Sequence, residues 1–142
     1  MTNSEIDQLE AIDRILLRRI LEVPTSCPSA YLYLELGVKP LRYIIKARRL
    51  TFLQYILKRK KDDLLYKFFE AQHRDPSKND WCLSVQKDLQ DFGIEDDFEE
   101  IKMYKKKAWL KKVKKARKTK AFHDLINTQS SYSKGSSLAY GK

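Results

Sequence analysis

Cys27, His73, Cys82 and His123 are the side chains of this sequence best suited to hold a soft metal or to act through a thiolate. A zinc site draws ligands in close pairs, Cys-x-x-Cys or His-x-x-x-His, because one turn then delivers two donors to one ion. Here all four stand singly, so no metal site is expected. Nothing beside either cysteine marks it as an activated nucleophile. Two acidic pairs, Asp62-Asp63 and Asp96-Asp97, have the composition of a two-metal phosphoryl-transfer centre. Adjacent residues of a helix point about 100° apart, however, and both pairs stand where a helix needs its N-cap. The approach to the first pair is Lys60 and to the second Gly93–Glu95, without the aromatic that a polymerase motif carries two positions ahead. Both pairs are therefore expected to cap helices. No catalytic residue and no cofactor is assigned, and the chain reads as a non-enzyme.

The strongest chemical signal is cationic. Residues 104–120 read YKKKAWLKKVKKARKTK, and residues 102–120 hold 11 Lys/Arg and no acid. The chain carries a formal +10, yet residues 1–101 hold 16 Lys/Arg against 18 Asp/Glu. The pI of 9.6 is therefore the property of one segment. Cations this dense repel one another on a helix, which favours a polyanionic partner over a solvated face. Lys106, Lys107, Lys111, Lys112, Lys115 and Arg117 are the expected phosphate contacts on RNA or DNA, with Trp109 interleaved as a base stacker. No base-specific recognition follows from this. The segment KKVKKARK resembles a nuclear-localisation cluster, which points to an intracellular, nuclear protein. A second stripe, Arg42, Lys46 and Arg49, recurs at helical spacing. It suits a phosphate backbone, and equally suits ion pairs with Glu35, Asp62, Asp63 or Glu70 on neighbouring helices; the sequence leaves both open.

Positioning these side chains falls to helices. The chain of 142 residues suffices for one domain with a modest core. Hydrophobic content of 42% argues for a folded body, and only four Gly and four Pro favour helix over turn-rich β architecture. No apolar run approaches the roughly 20 residues of a membrane-spanning helix, so no membrane partner is expected. The N-terminus lacks a signal-peptide profile, and the two distant cysteines are expected as reduced thiols.

Asn3-Ser4 caps a first helix in which Ile6, Leu9, Ile12, Leu16 and Ile20 recur at steps of three and four, ended by Pro24 and Pro28. YLYLEL alternates as a strand would, but Ser29 before it and Gly37 after it favour a short helix. Pro40 opens a long helix to about Lys60, with Leu41, Ile45, Phe52 and Ile56 on one face and Leu50, Leu53 and Leu57 on another. Asp62 or Asp63 caps a fourth helix, and Asn79 or Asp80 a fifth that stops at Gly93. Asp96 and Asp97 begin the last, with acids in its first turn and lysines beyond, in keeping with the helix dipole. The expectation is an all-α, irregular bundle of five or six helices over residues 1–100, then a long basic helix, 101–126, projecting as an arm, then a disordered tail, 127–142.

A family likeness runs through the same residues. Leu9-Glu10-x-Ile12-Asp13-x-x-Leu16-Leu17-x-x-Ile20-Leu21, Pro24-x-Ser26-x-Pro28, LYLELGVKPLRYII, RRLTFLQYIL and KNDWCLSVQKDL together resemble non-LTR (LINE-type) retrotransposon polyproteins, in the segment downstream of the reverse-transcriptase core. The likeness covers roughly residues 6–113, most specifically Leu32–Ile45 and Lys78–Leu89. It implies a helical piece of an RNA-directed DNA polymerase polyprotein that helps hold template RNA or target DNA. A reverse-transcriptase core is the implied protein partner. Fingers and palm motifs are missing and no Asp of a polymerase triad maps onto this chain, so the resemblance implies a fragment that does not polymerise by itself. The alternatives are a structural module that docks on a separate core, leaving Leu50, Leu53 and Leu57 uncovered in isolation, or a decayed fragment with no independent activity.

Overall fold

The computed structural model describes residues 2–75 and 81–140, with side chains as far as Asn127. The described residues form seven helices and no strand: α1 (Asn3–Leu21), α2 (Ser29–Leu36), α3 (Leu41–Leu57), α4 (Leu64–Arg74), α5 (Trp81–Asp91), α6 (Phe98–Met103) and α7 (Lys106–Tyr140). The all-α class is as expected, and YLYLEL is helical. Most boundaries follow from local chemistry. The carboxylate of Asp63 accepts the Leu65 amide at 3.0 Å and that of Asp97 the Glu100 amide at 2.8 Å, so one member of each acidic pair is a helix cap. Gly37 and Gly93, at φ 65° and 66°, supply the left-handed stops after α2 and α5. The same stop after α1 falls on Glu22, at φ 55°, where an L side chain is strained. The amides of Glu22 and Val23 nevertheless reach Arg19 O and Arg18 O and close the helix end. The expected cap of α5, Asn79 or Asp80, lies outside the described residues. The tail expected from residue 127 follows the backbone of α7 as far as Tyr140; its side chains beyond Asn127 and residues 141–142 also lie outside them.

The described residues fall into two compact units, 3–43 with 119–140, and 44–75 with 81–118. Residues 106–118 of α7 belong to the second unit. The first unit centres on Leu17, Leu32 and Tyr33, with Leu21, Val23, Cys27, Leu36 and Leu125 packed against them. Of the apolar stripe on α1 only Ile6 is buried; Ile12, Leu16 and Ile20 are 65%, 56% and 61% exposed. The inward face carries Ile6, Glu10 and Leu17 instead. Glu10 accepts hydrogen bonds from the backbone amide, Nε and Nη2 of Arg42, a bidentate pair that satisfies the buried carboxylate on this inward face.

In the second unit Leu50, Leu53 and Leu57 of α3 are all buried. The face expected to lack a cover in the isolated chain is thus covered by the chain itself. One boundary departs from expectation. The last helix breaks at Tyr104-Lys105, giving α6 and α7 in place of one element. Tyr104 turns extended (φ −65°, ψ 143°), and the buried amide of Gln54 donates to Ile101 O at 3.1 Å and Tyr104 O at 3.0 Å. That side chain satisfies the carbonyls the broken helix leaves behind. The break separates the acids Glu99 and Glu100, in the first turn of α6, from the lysines, which now open α7. Cations at a helix N-terminus oppose its dipole, in contrast to the acids expected in the first turn.

Candidate nucleic-acid interface

Trp109 fixes the orientation of α7. It is fully buried, and its indole Nε1 donates to Leu50 O at 3.0 Å. Its expected role as a base stacker is therefore corrected: protein covers the ring, and an aromatic of this size inside a lysine-rich helix serves as the core anchor. Val113, one turn on, is buried beside it in sequence register. With 3.6 residues per turn, the side opposite Trp109 carries Lys107, Lys111, Lys114 and Lys118, at steps of four, three and four. All four are exposed and none makes an ion pair with a described residue. They form a file about 16 Å long, from eleven steps of 1.5 Å rise, flanked by exposed Lys106 and Lys115.

Two expected phosphate contacts are placed differently. Lys112 Nζ is 2.5 Å from Asp96 Oδ2 and 2.9 Å from the Tyr104 hydroxyl. The Asp96 carboxylate holds this ammonium above its usual pKa, and Lys112 in turn lowers that of Asp96. Arg117 is half-buried, with its Nε turned inward and without a hydrogen-bond partner among the described residues. Lys114 and Lys118, which are not among the expected contacts, take their places in the outward file. The signal for them was available: counting helical steps from a buried Trp109 selects them, but only once Trp109 is known to be buried.

The α3 stripe resolves toward ion pairs. Arg42 Nη2 lies 2.7 Å from Glu10 and 2.8 Å from Asp7, and the Glu10 hydrogen bonds raise the Arg42 pKa against the cost of burial. Lys46 meets Asp91 at 2.6 Å, and Arg49 meets Asp88 at 2.8 Å. The partners come from α1 and from α5, and not from Glu35, Asp62, Asp63 or Glu70. The charges of Arg42, Lys46 and Arg49 are thus matched locally by carboxylates.

The remaining ligand-type residues do not converge. Among the described residues no group of three or more His, Cys, Asp or Glu side chains is placed to hold a metal ion. His73 Nδ1 and Cys82 Sγ are 3.7 Å apart, with the thiol buried, while Cys27 and His123 contact Pro28 O and Asn127. Among the described residues no helix is long and apolar enough to cross a membrane. No family model matches the chain, and neither a curated protein nor a solved structure matches it.

Proposed function

We propose that this chain is a non-catalytic nucleic-acid-binding helical module, of the kind its resemblance to the post-polymerase region of LINE-type retrotransposon proteins implies, acting on RNA or DNA in the nucleus. The observation that carries the reading is the outward file Lys107, Lys111, Lys114 and Lys118, unpaired in a segment with no acid. Like charges at i, i+4 cost each helix pair about 0.2–0.5 kcal/mol, and a row of phosphates relieves that cost. Affinity then comes chiefly from counterion release. For a single strand meeting four lysines, the slope of log affinity against log salt is about −3. A filter-binding titration across salt tests this on single- and double-stranded nucleic acid. Replacing Lys107, Lys111 and Lys114 together by Ala should flatten the slope by about two. Binding that ignores salt, or no binding at low ionic strength, sinks the proposal.

A second reading, a module that docks on a separate polymerase core, is favoured by a different observation: Ile12, Ile15, Leu16 and Ile20 lie exposed along α1. Ile12→Asp with Leu16→Asp separates the two. Under the first reading this variant binds nucleic acid as the parent does; under the second it loses capture by a reverse-transcriptase core.

A further inference from the structure

Within the second unit a groove of about 720 Å³ opens between α3 and α7. Phe52, Tyr55 and Leu110 wall it, Arg48, Lys58 and Lys106 stand round it, and no acid lines it. Phe52 was expected on a core-facing side of α3, but it is 44% exposed and Tyr55 is 50% exposed. The two rings are nearly parallel, at 16° with centroids 5.7 Å apart. They are also held in place. Trp81 meets Phe52 edge-on at 5.8 Å, and the Arg59 guanidinium lies 5.2 Å from the Tyr55 centroid while Asp63 anchors it at 2.8 Å. The result is an open, pre-positioned aromatic platform inside a cationic rim.

Resting on the function proposed above, we infer that this groove takes the unstacked bases of a single-stranded nucleic acid, with Phe52 and Tyr55 as the stacking platform. The occupant must cover flat apolar rings and carry negative charge within a few ångströms, and a nucleotide does both. A duplex keeps its base faces stacked internally and offers only its backbone, so the groove favours single strands. Lys106 and Leu110 of α7 face the groove, and Lys107 and Lys114 follow within about 100° round the helix. A strand with bases in the groove can thus run its phosphates onto the lysine file. Every base has a π-face, so this recognition discriminates strandedness and leaves sequence unread.

The test uses the full chain and three labelled probes in fluorescence anisotropy: an oligothymidylate, an abasic strand with the same number of phosphates, and a duplex. The wild type should bind oligothymidylate more tightly than the abasic strand. Tyr55→Ala should lose about tenfold on oligothymidylate and nothing on the abasic strand, and Tyr55→Trp should restore the loss. The Lys107, Lys111 and Lys114 triple Ala variant should weaken binding to both strands alike. Tyr55 is half exposed, so circular dichroism of the Ala variant should match the wild type. Equal wild-type affinity for the abasic strand, or an equal loss on both strands in Tyr55→Ala, overturns the groove inference and leaves the phosphate reading standing. Failure of every probe at low salt removes the parent reading itself. Sedimentation showing that Tyr55→Ala dissolves a self-associated species would make the groove an interface between copies, and the inference falls.

Discussion

Asp88 shows how the stripe on α3 is held. It is 2% exposed on α5, and Arg49 Nη2 donates to its Oδ1 at 3.0 Å. Arg49 Nε also lies 2.8 Å from Oδ2. Burial pushes the Asp88 carboxyl up to about 6, against the opposing pull of Arg49 and Lys46. The folded pKa exceeds the unfolded value of 3.8, so the native state binds this proton more tightly. The contribution to stability is full below about pH 4 and is lost as pH rises through about 6, at most about 3 kcal/mol in total. Carboxyl carbon NMR should place this titration near pH 6. Urea unfolding should show a fall in stability over that window that Asp88→Asn removes; a titration near 4, or the same slope in the variant, contradicts it. The sequence displayed Arg42, Lys46 and Arg49 as a stripe, because helical spacing is local information. Their partners were hidden, because Asp7, Glu10, Asp88 and Asp91 are brought to them by the packing of other helices. Trp109 was ambiguous for the same reason: an aromatic among lysines reads alike as a stacker or an anchor until its burial is known.

At the level of elements, the legible boundaries are those whose chemistry lies within one turn. Asp63, Asp97, Gly37 and Gly93 each act on backbone groups a few residues away, and each was readable. The break between α6 and α7 was not, since no Gly or Pro marks Tyr104-Lys105 and the amide that ends α6 arrives from Gln54 on α3. Likewise α1 shows a clear apolar period, but its inward face is that of Ile6, Glu10 and Leu17, with Glu10 paired to Arg42, and Ile12, Leu16 and Ile20 lie outward. Gln54→Leu keeps the bulk of the side chain and removes both hydrogen bonds, leaving the carbonyls of Ile101 and Tyr104 without this donor. Ile101 O keeps the Tyr104 amide at 3.3 Å, so Tyr104 O is the carbonyl left unmet, and a loss of about 1–3 kcal/mol is expected in urea unfolding. Near-ultraviolet circular dichroism should also change, because the break is what presents Trp109 to Leu50 O. A variant as stable as the parent, with an unchanged tryptophan signal, would show that the break is set by something other than Gln54.

For the molecule as a whole, the charge asymmetry and the division into units assign different work to the two parts of α7. Residues 119–127 complete the first unit: Ala121 is buried, Leu125 packs against Leu17, Leu32 and Tyr33, and Asp124 accepts the Tyr43 hydroxyl at 2.5 Å. Burial and that hydrogen bond push the Tyr43 phenol well above its ordinary pKa. Lys120 pairs with Asp124 at 3.3 Å and so adds little to any outward charge. The lysine file, by contrast, ends at Lys118, the last residue of the second unit. A chain ending at Lys118 therefore loses packing from the first unit and no unpaired lysine from the file. Hydrogen exchange should show reduced protection in α1 and α2, with α3 beyond Ile44, α5 and the start of α7 still protected. Nucleic-acid binding should persist with the salt slope of about −3. If binding disappears while the amides of the second unit remain protected, the phosphates are held beyond Lys118, and the outward file of α7 is not the interface.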